Sequence, residues 1–335
     1  MQKQNLKKKL NDAQAKLHEV LKLYISKHFP ELPKLAIACS GGLDSMVLLK
    51  AFLSLYPKDK LLVMHCDHAW HEASTEIADW LKSFCSQYSI QIFDTKFEFA
   101  EDEKTENHAR EKRYQYFQKI CEENNIKDLL LAHHLNDQVE TVFFRFIRGT
   151  SSYGLQGIPE SRSISNESLP DSGELAHSVA LHRPFLSLSR EDIQNYAELL
   201  SIEYREDPSN SSLDYARNRI RHVIIPEAHK INSSLLNNVQ RLSKIVSDEQ
   251  DFIQMHTEMA LNYLGALPFD LKSFRKLHKV IQRSILSEFF TANIDFCNQF
   301  VEAIEAGGFH RINFKKGNFF TIKQKKIFLE SEQDL

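Results

Sequence analysis

The chain has 335 residues, room for about two domains at ~150 residues each. Hydrophobic residues make up 42% and charged residues 26%, which excludes wholesale disorder and collagen-like repeats. With 42 basic and 45 acidic side chains the formal charge is −3, so any affinity for nucleic acid must rest on local patches rather than a basic excess. No apolar run approaches the ~18 residues of a membrane span, and the opening MQKQNLKKKLNDAQ lacks a secretory apolar region. The expectation is a cytoplasmic protein with no membrane partner; nothing in the pattern specifies an oligomeric state. The five cysteines, Cys39, Cys66, Cys85, Cys121 and Cys297, contain no C-x-x-C. That argues against a disulfide scaffold, a paired-thiol redox site and a zinc ribbon.

An amphipathic helix opens the chain, with Leu6, Leu10, Ala13, Leu17, Val20 and Tyr24 at spacings of three and four. Strand and helix then alternate: Leu35–Cys39 and Leu43–Tyr56, Leu61–Cys66 and Glu72–Tyr88, Ile90–Thr95 and Thr105–Asn124, Asp128–Ala132 and Asp137–Arg148. Short apolar runs alternating with helices indicate βαβ units, hence a Rossmann-like parallel sheet covered on both faces. Residues 161–178 hold six serines in eighteen positions, with Pro170 and Gly173, and read as an exposed loop. Ala180–Pro184 and Ser189–Leu200 continue the alternation, with Ser189 as a plausible N-cap. From the turn Asp207-Pro208-Ser209-Asn210 to Ala306 the chain reads as helical, with Leu235, Val239, Leu242 and Val246 in one stripe. After Gly307-Gly308 come β-like runs, Arg311–Phe314 and Phe319–Ile322. The expected division is an α/β domain over 1–228, a smaller helical domain over 229–308 and a basic β-like tail over 309–335. No repeat of 20–50 residues is present.

Two of the ten glycines stand together in Ser40-Gly41-Gly42-Leu43-Asp44-Ser45, between a predicted strand and helix. Such a turn points backbone N–H groups at a phosphate; Ser40 and Ser45 add hydroxyls, and Asp44 is a candidate Mg²⁺ ligand. Neither a G-x-x-x-x-G-K-[ST] nor a G-x-G-x-x-G motif occurs, which disfavours a γ-phosphate-transferring P-loop and a dinucleotide fingerprint. His65, Asp67, His68 and His71 follow the second strand. A zinc site there would lack a cysteine pair, and an adenine or ribose pocket wall is the preferred reading. Asp137 and Glu140, just after His133-His134, share one face of the first helical turn. They either complement the helix macrodipole or form an anionic pocket. Arg217 and Arg221 are one turn apart, with Asn218 and Arg219 between them, and read either as a solvated basic face or as phosphate contacts. Lys7-Lys8-Lys9 and the six Lys or Arg of 311–326 supply further basic patches. Phe289-Phe290 and Phe319-Phe320 read as core rather than as base-stacking platforms.

The S-G-G-x-D-S block resembles the PP-loop of ATP pyrophosphatases. Within that superfamily the chain resembles the tRNA(Ile)-lysidine synthetases over about residues 33 to 227. The resemblance runs through His65-Cys66-Asp67-His68, Ala109-Arg110-Glu111-Lys112-Arg113-Tyr114, Ala132 to Thr141 (AHHLNDQVET), Arg148-Gly149, Arg183-Pro184, Glu206 to Asn210 (EDPSN), and Arg217-Asn218-Arg219-Ile220-Arg221 with Pro226. It implies a ligase using ATP and Mg²⁺ to adenylate the C2 carbonyl oxygen of the wobble cytidine in a CAU anticodon of tRNA(Ile). The ε-amine of L-lysine then displaces AMP and leaves lysidine. Site roles follow from the same resemblance. Ser40–Ser45 hold pyrophosphate, and His65, Asp67 and His68 line the nucleotide pocket. Asp137 and Glu140 receive lysine beside His133 and His134, Arg113 pairs with the lysine carboxylate, and Arg217, Asn218, Arg219 and Arg221 contact tRNA. Longer members carry a further C-terminal domain, so a short form is expected. The rivals are another PP-loop tRNA-modifying activity such as thiolation, and a non-catalytic RNA- or nucleotide-binding protein.

Overall fold

Alternate side chains of the first strand enter different cores, and this two-residue period sets the architecture. In the computed structural model, residues 2–67, 73–97, 99, 106–164, 179–205, 216–290, 293–307, 311–315 and 318–331 are described. The chain divides into two compact units, Met1–Arg148 with Gly157–Arg241, and Gly149–Gln156 with Leu242–Leu335.

The first unit begins with α1 (Gln2–His28), β1 (Leu35–Ala38), α2 (Leu43–Leu55), β2 (Leu61–Asp67), α3 (Ala73–Gln87), β3 (Gln91–Lys96), α4 (Glu106–Glu123), β4 (Asp128–Leu130) and α5 (Leu135–Arg148). The short α6 (Ser152–Leu155) belongs to the second unit. The first unit resumes with β5 (Ser161–Ile164), β6 (Val179–His182), α7 (Arg190–Leu199), α8 (Ala216–Arg219), a π-helical turn over Ile220–Ile224, and α9 (Ile225–Ile231). The six strands lie in the order β3-β2-β1-β4-β6-β5. All neighbours pair in parallel except β5 with β6.

Leu35 and Ile37 of β1, Leu61 and Val63 of β2 and Leu130 of β4 face a core built with α1, α2, α3 and α7. Ala36, Leu62, Met64, Leu129 and Leu181 face the opposite core, built with Phe117, Ile120 and Cys121 of α4. Both faces are therefore covered, as the alternating sequence pattern predicts. A buried polar chain fastens α1 to the sheet, from Asp128 Oδ1 to His182 Nε2 at 2.9 Å and from His182 Nδ1 to Tyr24 Oη at 3.1 Å. Ser189 caps α7 in a full capping box with Asp192.

Three sequence expectations change. Part of the expected 161–178 loop is an antiparallel edge strand, since Ser161–Ile164 pairs with β6; residues 165–178 lie outside the described residues. The boundary expected at 228 differs from the compact units, which divide between Arg241 and Leu242, inside α10 (Leu235–Leu264). The division falls within one 30-residue helix that contains no glycine or proline, so no breaker signal marks it in the sequence. Nor do the described residues of 309–335 stand apart as a tail, since they form strands of the second unit's sheet.

The second unit contains β7 (Phe269–Asp270), α11 (Leu271–Lys276), α12 (Lys279–Phe290), α13 (Ile294–Glu305), β8 (Arg311–Lys315), β9 (Asn318–Lys323) and β10 (Lys326–Ser331). The four strands form a sheet ordered β7-β10-β9-β8. Phe320 and Ile327 of that sheet share a core with Phe274, Phe296 and Phe300. Phe319 and Phe320 are buried, as core residues rather than stacking platforms. Among the described residues no helix is long and apolar enough to cross a membrane.

Candidate functional site

The strand order reverses direction between β1 and β4, so the loops leaving these two strands diverge at their carboxyl ends, the position of the crevice in folds of this topology. In open α/β sheets that is the place for a ligand. The β1–α2 loop carries Ser40, Gly41 and Gly42, while Leu43, Asp44 and Ser45 form the first turn of α2. Gly41 sits at φ +85°, a conformation that favours glycine. Gly42 caps α2 without a side-chain hydrogen bond of its own, and its N–H donates to Ser40 Oγ at 3.4 Å. Ser45 is buried within the loop. Its hydroxyl donates to the Gly42 carbonyl at 3.0 Å and accepts from the Ser40 amide at 3.2 Å, bracing the loop. Ser40 Oγ lies 3.2 Å from Ser45 Oγ. Asp44 keeps one carboxylate oxygen, Oδ1, buried and without a hydrogen-bond partner.

His65 is buried on β2, and its Nδ1 lies 2.8 Å from the Cys39 carbonyl. That oxygen can only accept, so Nδ1 carries the proton and Nε2 is left as an acceptor in the neutral ring. Nε2 is buried with no partner. Asp67 is buried at the end of β2; His68 lies outside the described residues.

His133 and His134 occupy the β4–α5 loop, and Asp137 and Glu140 the first turns of α5. The network they build is wider than the sequence implies. His134 Nε2 lies 3.6 Å from Asp44 Oδ2, and its Nδ1 3.5 Å from Asp137 Oδ2. These are ionic contacts, whereas the His134 backbone N–H donates a hydrogen bond to Asp137 Oδ2 at 2.9 Å. Arg221, in the π-helical turn, reaches Asp137 Oδ1 at 3.3 Å and grips Glu140 with Nε and Nη2 at 2.6 and 2.8 Å. Arg217 Nε adds a contact to Glu140 Oε2 at 3.3 Å. An unbroken chain thus runs Asp44–His134–Asp137–Arg221–Glu140–Arg217. Burial alone would depress the His134 pKa, but Asp137 and Asp44 outweigh it and raise the imidazole above its ordinary value. Burial would raise Asp137; His134 and His133 outweigh it and hold the carboxyl below its usual range. His133 is pushed down, chiefly by burial, and stays neutral. With His134 charged, three anions (Asp44, Asp137, Glu140) face three cations (His134, Arg217, Arg221).

Arg217 and Arg221 therefore do not both project into solvent as the helical wheel implies. The turn carrying Arg221 buries Ile220 but leaves Ile224 exposed, because π-helical geometry breaks the 3.6-residue register. Arg219 is exposed, and Asn218 sits between the two bonded arginines on α8. Arg113, on α4, is close enough for its charge to act on His133 and on Cys66. Sequence reasoning missed the pairing of Arg221 with Glu140, which links positions 81 apart. Compensating charge on two motif blocks was the only available signal.

This crevice, with a glycine turn opening a helix beside a charged βα loop, is that of a nucleotide-binding α/β protein. Residues 9–228 match the family model of the PP-loop domain (ATP_bind_3), and the chain belongs to that family. Among curated proteins it is similar to the tRNA(Ile)-lysidine synthase of Geobacillus kaustophilus, 31% identical over 281 residues, 79% of this chain and 58% of that protein. It is also similar to the bifunctional protein TilS/HprT of Listeria innocua, 34% identical over 264 residues, 76% of this chain and 38% of that protein. The chain spans 58% and 38% of the lengths of these two relatives. Its fold resembles that of the U34-tRNA thiolase NcsA from Methanococcus maripaludis, solved with its 4Fe–4S cluster. The TM-score is 0.56 at 17% identity, over 71% of this chain and 80% of that one.

Proposed function

We propose that the chain is a tRNA(Ile)-lysidine synthetase, joining L-lysine to the wobble cytidine of a CAU anticodon and converting ATP to AMP and pyrophosphate. The observation that carries this reading is the convergence of three distant sequence blocks, Ser40–Ser45, His133–Glu140 and Arg217–Arg221, on one charge-balanced network beside the switch point of the sheet. The named relatives, at 31% and 34% identity, support it.

The start of α2 and the Gly41-Gly42 backbone suit the pyrophosphate of ATP. His65 Nε2, an acceptor in the tautomer that the Cys39 carbonyl selects, suits an exocyclic amine such as that of adenine, with Asp67 beside it on β2. The free oxygen of Asp44 fits Mg²⁺, which takes one or two carboxylates together with phosphate oxygens. When bound, the ion would offset negative charge on the departing pyrophosphate. Asp137 and Glu140 suit the ammonium groups of lysine, and Arg113 its carboxylate. Guanidinium groups already hold both carboxylates, so a lysine ammonium must take the place of Arg221. RNA phosphates near Arg217, Arg219 and Arg221 would favour that exchange by giving the arginines another anion.

Thiolation is the weaker reading. The five cysteines sit on separate elements, and burial pushes the Cys66, Cys85 and Cys121 thiols up to about 12. Nucleophilic sulfur needs the thiolate. The deciding experiment is mass analysis of the wobble nucleotide after incubating the chain with tRNA(Ile), ATP and lysine, alongside AMP and pyrophosphate release. Addition of one lysyl group is expected. An unmodified cytidine, or a sulfur-substituted base, would overturn the assignment.

A further inference from the structure

Four arginines gather around one tyrosine outside the Asp44–Arg217 network. The guanidinium carbons of Arg110, Arg162 and Arg113 lie 5.5, 5.8 and 5.9 Å from the centre of the Tyr114 ring. Arg183, directly after β6, is near enough for its charge to act on Tyr114, and it feels Arg162 and Arg110 in turn. None of the four forms an ion pair with a carboxylate among the described residues. Arg183 is 2% exposed; one Nη donates to the Pro159 carbonyl, while its Nε is buried with no partner.

A buried guanidinium with an unmet donor is costly unless an anion completes it. Three further cations at close range raise that cost, and contact with the ring face offsets only part of it. The strain shows on the groups themselves. Burial, with Arg162 and Arg110, brings Arg183 down to about 10. Burial would raise the Tyr114 phenol, yet Arg110, Arg113, Arg183 and Arg162 leave it below its ordinary value.

We propose that Arg110, Arg162 and Arg183, around Tyr114, bind the phosphodiester backbone of the RNA substrate at a site bordering Arg113, the candidate partner of the lysine carboxylate. The site grades from Arg183, buried, to Arg110 and Arg162, exposed, so it is open on one side, as a continuous strand requires. Three positive charges exceed what one carboxylate or one small anion neutralises, whereas a strand brings one charge per nucleotide. The fields of Arg113 and Arg183 both reach His133, which sets this site beside the crevice where the base would react. The inference rests on the functional reading only for the identity of the RNA.

The test titrates the chain with a fluorescent anticodon stem-loop RNA at several salt concentrations, comparing wild type with Arg162→Ala and Arg110→Ala, both exposed positions. Each variant is expected to weaken binding several-fold and to flatten the slope of log K against log salt by ~0.7–0.9 for each phosphate no longer neutralised. The lysine KM should hold, and thermal melts should match wild type. Unchanged slopes in both variants would overturn the proposal. So would a raised lysine KM with the slope intact, which would make this a carboxylate site. The two readings fail separately. A chain that binds the stem-loop with flattened slopes in the variants but adds no lysine would refute the synthetase and keep the phosphate site. A chain that forms lysidine with unaltered slopes would do the reverse.

Discussion

Arg221 holds Glu140 in a two-pronged grip, Nε to Oε1 at 2.6 Å and Nη2 to Oε2 at 2.8 Å. The Glu140 side chain is 3% exposed and that of Arg221 25%, so the pair is shielded enough for the bond to matter. Arg221→Ala would leave a buried carboxylate with only the longer contact to Arg217. A loss of about 1.5–3 kcal/mol in unfolding free energy is expected, the range for a charge-assisted bond removed from one side. Glu140→Gln should recover part of it, so a double-mutant cycle by denaturant unfolding should return a coupling of about 1 kcal/mol or more. A coupling near zero would mean that the contact contributes nothing in solution.

The lysine-binding role of Glu140 separates from this structural one through kinetics. Glu140→Gln removes the charge that would receive the ammonium, and the lysine KM should rise about tenfold, from a bond of ~1.5–3 kcal/mol. The ATP KM should change little. A weakened ATP affinity with an unmoved lysine KM would transfer Glu140 to the nucleotide side.

His134 makes stability depend on pH in a definite direction. Its folded pKa lies above its unfolded value near 6.5. Its contribution is therefore complete below pH 6.5 and is lost as the pH rises through the folded value. His133 is depressed and acts only below 6.5, while the raised thiols act above 9. Between pH 6.5 and 8.5 the wild-type unfolding free energy should fall, and His134→Gln should flatten that fall. Parallel curves for the two proteins would show that His134 does not carry the charge.

Asp44→Asn should reduce pyrophosphate release by about 10²-fold or more, the usual effect of losing one preorganised charge-stabilising group. Its melting temperature should move little, because the Asp44 side chain is 30% exposed and touches His134 only at 3.6 Å. Turnover close to wild type would remove Asp44 from the leaving-group site.

Gly41→Ala tests the loop itself. The residue has φ +85°, and an added Cβ would stand 2.6 Å from Ile77 Cγ2. Left-handed backbone costs a non-glycine residue about 1–2 kcal/mol, and the clash adds to it. Both melting temperature and pyrophosphate release should drop. A second substitution, Ile77→Ala, should restore part of the stability by removing the clash but not the backbone strain. Full restoration would show that φ carries no cost here.

Local pattern and tertiary structure contributed different parts of this protein. The parallel sheet was legible because apolar runs such as Leu35–Cys39 and Leu61–Cys66 alternate with helical periods, and a covered sheet needs nothing but short-range pattern. Ser189 was legible as a cap for the same reason, its partner Asp192 being three residues away. The glycine turn and the acidic pair on α5 were also readable, since each motif is contiguous. What the chain order could not reveal was pairing across long separations. The Ser161–Ile164 strand exists only because β6 offers it an edge. Strands β8–β10 belong to a core because Phe296 and Phe300 of α13 pack on them. Arg221 reads as a free cation on its own helix; the fold makes it the partner of Glu140, 81 residues away. Periodicity records which side a residue faces, while the charge it meets there depends on which loops the sheet brings together.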